Sequence, residues 1–225
     1  MANEKKLKKG EEKKEIKATT AVNTDAIVAF IKNLYEDLIN MFKKPASTLK
    51  EKMKNANIKM PIVVLILISI AAGLFTLAFM HYSLAGVLVY IVRGFKGIST
   101  FKVFLCGALI TFVFSFIPIL ISLCTARILK NTTFDLEKAL TLYAYSFSPL
   151  IIVLLVLSLF LLANISILTT IVILCSLVVC IACLINYFKG YLDEVKISAD
   201  KMAYIVAIML VASAIIINIL SSYIS

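Results

Sequence analysis

Apolar and polar positions divide this chain into a polar first quarter and a nearly continuous apolar remainder, and the spacing within each predicts helices. Residues 1–22 show no apolar periodicity and are lysine-rich between Lys5 and Lys17. Such a segment buries too little surface to offset its ordering entropy, so it is expected to be a disordered cytoplasmic tail. From Asn23 to Phe42, Ile27, Phe30, Ile31, Leu34, Leu38, Met41 and Phe42 fall within a helical stripe roughly 120° wide, with Lys32, Glu36 and Asn40 opposite. Asn23 or Thr24 is placed to cap this helix, Lys43 and Lys44 suit its last turn, and Pro45 stops it. A second short helix is expected from Thr48, presenting Leu49 and Met53. Residues 23–60 thus read as amphipathic helices at a membrane surface or on the end of a bundle.

Five apolar blocks follow: Pro61 to Met80, Val103 to Ala126, Pro149 to Ala163, Ile165 to Phe188 and Met202 to Ile224. The first has 20 residues, about 30 Å as a helix, which is enough to cross the hydrocarbon. The nine apolar residues from Leu84 to Val92 are too few to span and read as a helix extension or a re-entrant segment. Before the third block, Asp135 to Phe147 carries an amphipathic pattern. Thr132 and Asp135 form a capping box, while Leu136, Leu140, Tyr143 and Phe147 share one face. Ser148 precedes a proline and is biased away from helical geometry. The expectation is a surface helix that bends at Pro149 and dives into the membrane.

Composition sharpens this picture. The 225 residues are 61% hydrophobic and 16% charged, and mean hydropathy is +1.00, whereas a soluble domain carries roughly 25% charge. The net charge of +10 is concentrated at one end: residues 1–60 hold 14 lysines and eight acids. Placing the N-terminus in the cytoplasm leaves 20 lysines and arginines inside and three outside, the distribution that orients membrane proteins. The predicted architecture is an all-α polytopic bundle of five transmembrane helices, residues 61–225, with the N-terminus cytoplasmic, the C-terminus outside, and an N-terminal amphipathic helix. An inner or plasma membrane is the expected location. No apolar core follows the early lysines within signal-peptide distance, so no secretory signal is expected.

Candidate chemistry is sparse. No Asp, Glu, Lys, Arg or His falls within residues 62–80, 103–126, 149–188 or 202–225, and proton relays and ion pathways are built from such residues. General bases, paired carboxylates and metal clusters are equally missing from the spans. No catalytic residue, metal site or cofactor is therefore expected. His81 lies at a span end, where interfacial solvation accounts for it. Cys106, Cys124, Cys175, Cys180 and Cys183 all lie in apolar blocks. The Cys180–Cys183 spacing has no neighbouring cation or helix N-terminus to activate a thiol.

Two groups of residues remain. In the second block Gly107, Thr111, Ser115, Pro118, Ser122 and Thr125 form one small, polar stripe. Such a stripe lets helices approach and exchange hydrogen bonds, or else lines a water path. Pro118 removes one backbone donor mid-span, with Ser115 or Ser122 placed to compensate. At the inner boundary, Tyr143, Tyr145, Phe147, Tyr187, Phe188 and Tyr191 cluster as an aromatic belt.

The motif Phe42-Lys-Lys-Pro45, the proline-started first span and, above all, Lys138-Ala-Leu-Thr-Leu-Tyr-Ala-Tyr-Ser-Phe-Ser-Pro149 resemble the Yip family. Residues Ala139 to Pro149 resemble its Ala-Tyr-Ser…Pro element, and Tyr187 to Gly190 resemble the end of its fourth span. The resemblance covers roughly residues 40–225. It implies a multi-pass protein of a family known first as Rab-GTPase interactors of the secretory pathway, with many uncharacterised bacterial relatives. The region before the first span has neither a zinc ribbon nor an acidic tail, which fits the bacterial branch and leaves Rab binding out. The leading expectation is a non-enzymatic scaffold or membrane-organising protein acting through its cytoplasmic face, with Ala139, Tyr143, Tyr145, Ser146 and Pro149 as the interaction residues. The alternative is a permease or permease subunit using the stripe from Gly107 to Thr125. Expected partners are membrane lipid, a protein on the cytoplasmic face or a second copy of the chain, and not nucleic acid.

Overall fold

The computed structural model describes residues 24–81, 99–163, 166–196 and isolated positions between 204 and 215. Among them all regular structure is helical: α1 (Thr24–Lys43), α2 (Pro45–Lys54), α3 (Lys59–His81), α4 (Thr100–Ile128), α5 (Leu136–Phe147), α6 (Pro149–Leu162) and α7 (Ser166–Val195). Among the described residues four stretches are long and apolar enough to cross a membrane: Lys59–Met80, Thr100–Ile128, Leu136–Leu162 and Leu168–Val195. The tail 1–22, the segment Leu84 to Val92 and most of the expected fifth span lie outside the described residues.

The chain divides into two compact units, residues 1–39 and 40–225. In the first, α1 leaves Ile27, Phe30 and Ile31 exposed. In the second, Lys44 leaves helical space at φ −143° and α2 begins at Pro45. Its start is three residues earlier than expected, because proline is pre-organised for a first helical turn and pushes the residue before it out of α-geometry. Thr48, Leu49 and Met53 of α2 are buried, packed on α5 and α7.

α3 is the central helix, in contact with α4, α5 and α6. Glycines set its approach to α4: a Cβ on Gly73 would lie 2.8 Å from the Phe104 carbonyl oxygen, and one on Gly107 2.5 Å from Thr76 Oγ1. At one end Ala78, Leu157 and Leu161 close the core with Phe75, Phe79 and Val172. At the other, α4 finishes in a left-handed residue, Lys130 at φ 58°. The Lys130 and Asn131 amides turn back to the Arg127 and Ala126 carbonyls, both at 2.9 Å, the reversed hydrogen bonds that satisfy a helix C-terminus.

Asn131 then organises the connection to α5. Its Oδ1 accepts from the Thr133 and Phe134 amides at 3.0 Å, and its Nδ2 donates to the Val195 carbonyl. Asp135, rather than Thr132, caps α5 by accepting from the Lys138 amide at 2.9 Å. Ser148 stays helical at φ −56° and ψ −32°, so Pro149 does not move the backbone out of helical space. Its missing N–H falls where a new first turn needs none. The expected surface helix is instead interior: Ala139, Leu140, Thr141, Leu142, Ala144, Tyr145 and Ser146 are all buried.

Candidate functional site

α4 and α7 are not close-packed neighbours; long tyrosine side chains bridge the space between them. The Tyr187 hydroxyl donates to the Pro118 carbonyl at 3.0 Å, and the Tyr191 hydroxyl to the Ser122 carbonyl at 3.2 Å. Donors and acceptors are each one helical turn apart on parallel stretches of chain, so the two bonds form successive rungs. A backbone carbonyl has two lone pairs and can accept such a bond beyond its helical one.

The serines behave differently from expectation. Ser115 Oγ donates to the Thr111 carbonyl at 2.8 Å, Ser122 Oγ to Ile119 at 2.7 Å and Thr125 Oγ1 to Ile121 at 2.7 Å. Each hydroxyl is satisfied within its own helix, so none of these three bonds runs to another helix or to the carbonyl that Pro118 leaves without its amide. Donation across the gap between α7 and α4 comes from tyrosines because a phenol reaches where a serine cannot.

Tyr143 joins this arrangement from α5, its hydroxyl 3.5 Å from Ser115 Oγ. Its ring lies 4.6 Å from Phe147 and 5.9 Å, edge-on, from Tyr187. These rings form the wall of a half-open cavity of about 410 Å³ that Thr111, Ser115 and Pro118 also line. The structure thus brings part of the α4 stripe together with part of the aromatic cluster. Gly107 instead packs on Thr76, while Ser122 and Thr125 lie beyond the cavity lining.

Of the residues expected to meet a partner, Ala139, Tyr145, Ser146 and Pro149 are buried and Tyr143 is half-buried. Lys52 of α2 stands 5.7 Å over the Tyr145 ring, a cation–π contact. Thr141 Oγ1 and Ser146 Oγ are buried without a hydrogen-bond partner. At the α2 end of the bundle a second concavity, about 590 Å³, is lined by Lys50, Lys189, Asp193 and Glu194 over Leu49, Met53 and Gly190. Glu194 pairs with Lys138 of α5. Gly190 is the node of three helices: a Cβ there would come within 2.7 Å of Leu142 and 2.9 Å of Leu49.

Among the described residues no cluster of His, Cys, Asp or Glu is able to hold a metal ion, and the cysteines are free thiols. Large apolar side chains face outward along the middle of the long helices, such as Leu109 and Val113 on α4 and Leu177 and Val178 on α7. A soluble monomer does not expose so much contiguous apolar surface. With apolar helices of spanning length, this defines a multi-pass helical membrane protein. The Yip1 domain family model matches residues 39–221, and the chain belongs to that family. No curated protein and no solved structure matched the chain.

Proposed function

We propose that this chain is a five-span, non-enzymatic membrane protein that serves as a docking platform for a protein partner through its cytoplasmic face. The fifth span is the apolar segment from Met202 to Ile224. One observation carries the reading. The end of the bundle that holds α2 gathers Lys50, Lys52, Lys54, Arg127, Lys130, Lys138, Lys189 and Lys196, and there Lys50 and Lys189 line a concavity with a polar rim and an apolar floor, whereas Lys102 is the one lysine or arginine described at the opposite end. Basic residues mark the cytoplasmic side, and a concavity of that kind, floored where α2 and α5 pack closely on Gly190, suits a protein segment better than a lipid tail. The buried Ala139–Pro149 stretch then acts as the frame of the platform, holding α2 and α7 in register. The exposed Ile27, Phe30 and Ile31 of α1 fit an amphipathic helix resting on a membrane surface.

The test is crosslinking in intact membranes from photoreactive residues placed at Ala46 and Lys189, with reporter fusions at both termini to fix orientation. A discrete protein captured from both positions, with the N-terminus inside, supports the platform. Capture of lipid alone, or of another copy of the chain alone, overturns it.

A further inference from the structure

We infer that the cavity between α4, α5 and α7 is a seat for one acyl chain of a bilayer phospholipid. Its volume, about 410 Å³, falls within the usual range for small-molecule sites, roughly 300–1,000 Å³. The site lies at hydrocarbon depth: the α4 residues lining it, Ile110 to Pro118, occupy the middle of a helix that runs from Thr100 to Ile128. Two lining residues, Ile110 and Leu210, are about half exposed, 51% and 49%, so the mouth opens on the outer face of the bundle, where the solvent is lipid.

The chemistry of the walls narrows the occupant. Phe114, Ile117, Leu184 and Phe188 present only hydrocarbon and aromatic surface. Three of the four hydroxyls at the wall are engaged with protein: Ser115 with the Thr111 carbonyl, Tyr143 with Ser115, and Tyr187 with the Pro118 carbonyl; the fourth is that of Thr111. Among the described residues no charged side chain lines the space. A ligand needing a counter-ion would pay its full desolvation cost there, whereas an alkyl chain meets matching surface. The gap exists because Tyr187 and Tyr191 span from α7 to α4 at full side-chain length, which keeps those helices apart. An empty apolar void of this size forfeits dispersion contacts on every wall, and a neighbouring lipid tail restores them. The inference stands independently of the docking platform.

The experiment uses the full chain in phospholipid vesicles containing a trace of phosphatidylcholine with a diazirine at the end of one acyl chain. Adducts are mapped by mass spectrometry after irradiation. They are expected to concentrate on Thr111–Pro118 and Leu184–Phe188. Filling the cavity from opposite walls, with Leu184→Trp or Thr111→Phe, should lower these adducts at least about fivefold, equivalent to about 1 kcal/mol. Leu177→Trp, at an outward position of α7 that is 56% exposed and outside the cavity, should leave them unchanged. Even labelling of outward positions on wild-type α4 and α7 overturns the inference whatever the variants do. So does unchanged cavity labelling in either filled variant that elutes as a folded species. A diazirine fatty acid that labels the cavity more strongly than the phospholipid at equal mole fraction overturns the assignment to a bilayer phospholipid.

Discussion

Gly107→Ala adds one methyl group where α4 passes close against α3. The new Cβ would sit 2.5 Å from Thr76 Oγ1, 2.8 Å from its Cβ and 3.2 Å from its Cγ2. Thr76 cannot easily turn away, because it is β-branched and its hydroxyl is held on the Ala72 carbonyl at 2.8 Å. α3 and α4 must therefore separate, and overpacking of this kind costs about 1–3 kcal/mol. Three atoms of Thr76 within 3.2 Å put the cost in the upper part of that range, and alanine recovers up to about 1 kcal/mol as a better helix former, leaving a net loss of about 1–2 kcal/mol. For a chain of this length that lowers the melting midpoint by about 2–8 °C. The chain has no tryptophan, so the readout is the fraction of purified protein that stays monodisperse on size exclusion after heating. Thr76→Gly removes all three clashing atoms, and in that background Gly107→Ala should lose most of its effect, giving a coupling of about 1 kcal/mol. A Gly107→Ala protein that melts at or above the wild type, or an equal shift in both backgrounds, would refute the contact.

The remaining predictions address the site and its supports. Tyr187→Phe and Tyr191→Phe each keep the ring and delete one donor to a carbonyl of α4, so each should lower stability by about 0.6 kcal/mol; a double variant indistinguishable from wild type in the same melt removes the bridge from the account. Cysteine at Ser115, in a background lacking the five native cysteines, should resist a membrane-impermeant thiol reagent that labels cysteine at exposed Lys50, and equal labelling would favour the permease alternative with a water path along α4. Asn131→Ala deletes the acceptor shared by two backbone amides and should destabilise by about 0.5–1.5 kcal/mol, while Asn131→Asp keeps the acceptor and should restore most of that loss in the thermal assay.

The helices were legible because lipid imposes a coarse rule: backbone groups must be satisfied within the segment, so an apolar run of spanning length is a helix. Pro61–Met80 and Val103–Ala126 fall inside α3 and α4, each of which runs a few residues beyond its block. α7 passes Phe188, the end of its apolar block, and continues to Val195, because its polar last turns are held from outside the pattern. Glu194 pairs with Lys138, and Asn131 donates to the Val195 carbonyl. Local periodicity sees neither partner.

The candidate site was legible in its parts and not in its assembly. Hydroxyl residues on α4 and aromatic residues near the ends of α5 and α7 could be read from spacing. Which of them meet depends on the register between α4 and α7, and no sequence spacing encodes that. The error over Ala139 to Pro149 has the same origin. An apolar face with acidic residues at its N-terminus describes an interfacial helix and a buried one equally well. The difference lies in α2, whose Thr48, Leu49 and Met53 are buried against the same region. A short helix of low apolar content supplies the missing cover, and with it in place Tyr145 changes from a surface anchor to a ring beneath Lys52. The polar-rimmed concavity left between α2 and α7 is therefore a consequence of how α2 seats, and substitutions at Leu49 or Gly190 should act on any docking there through packing rather than through contact with the partner.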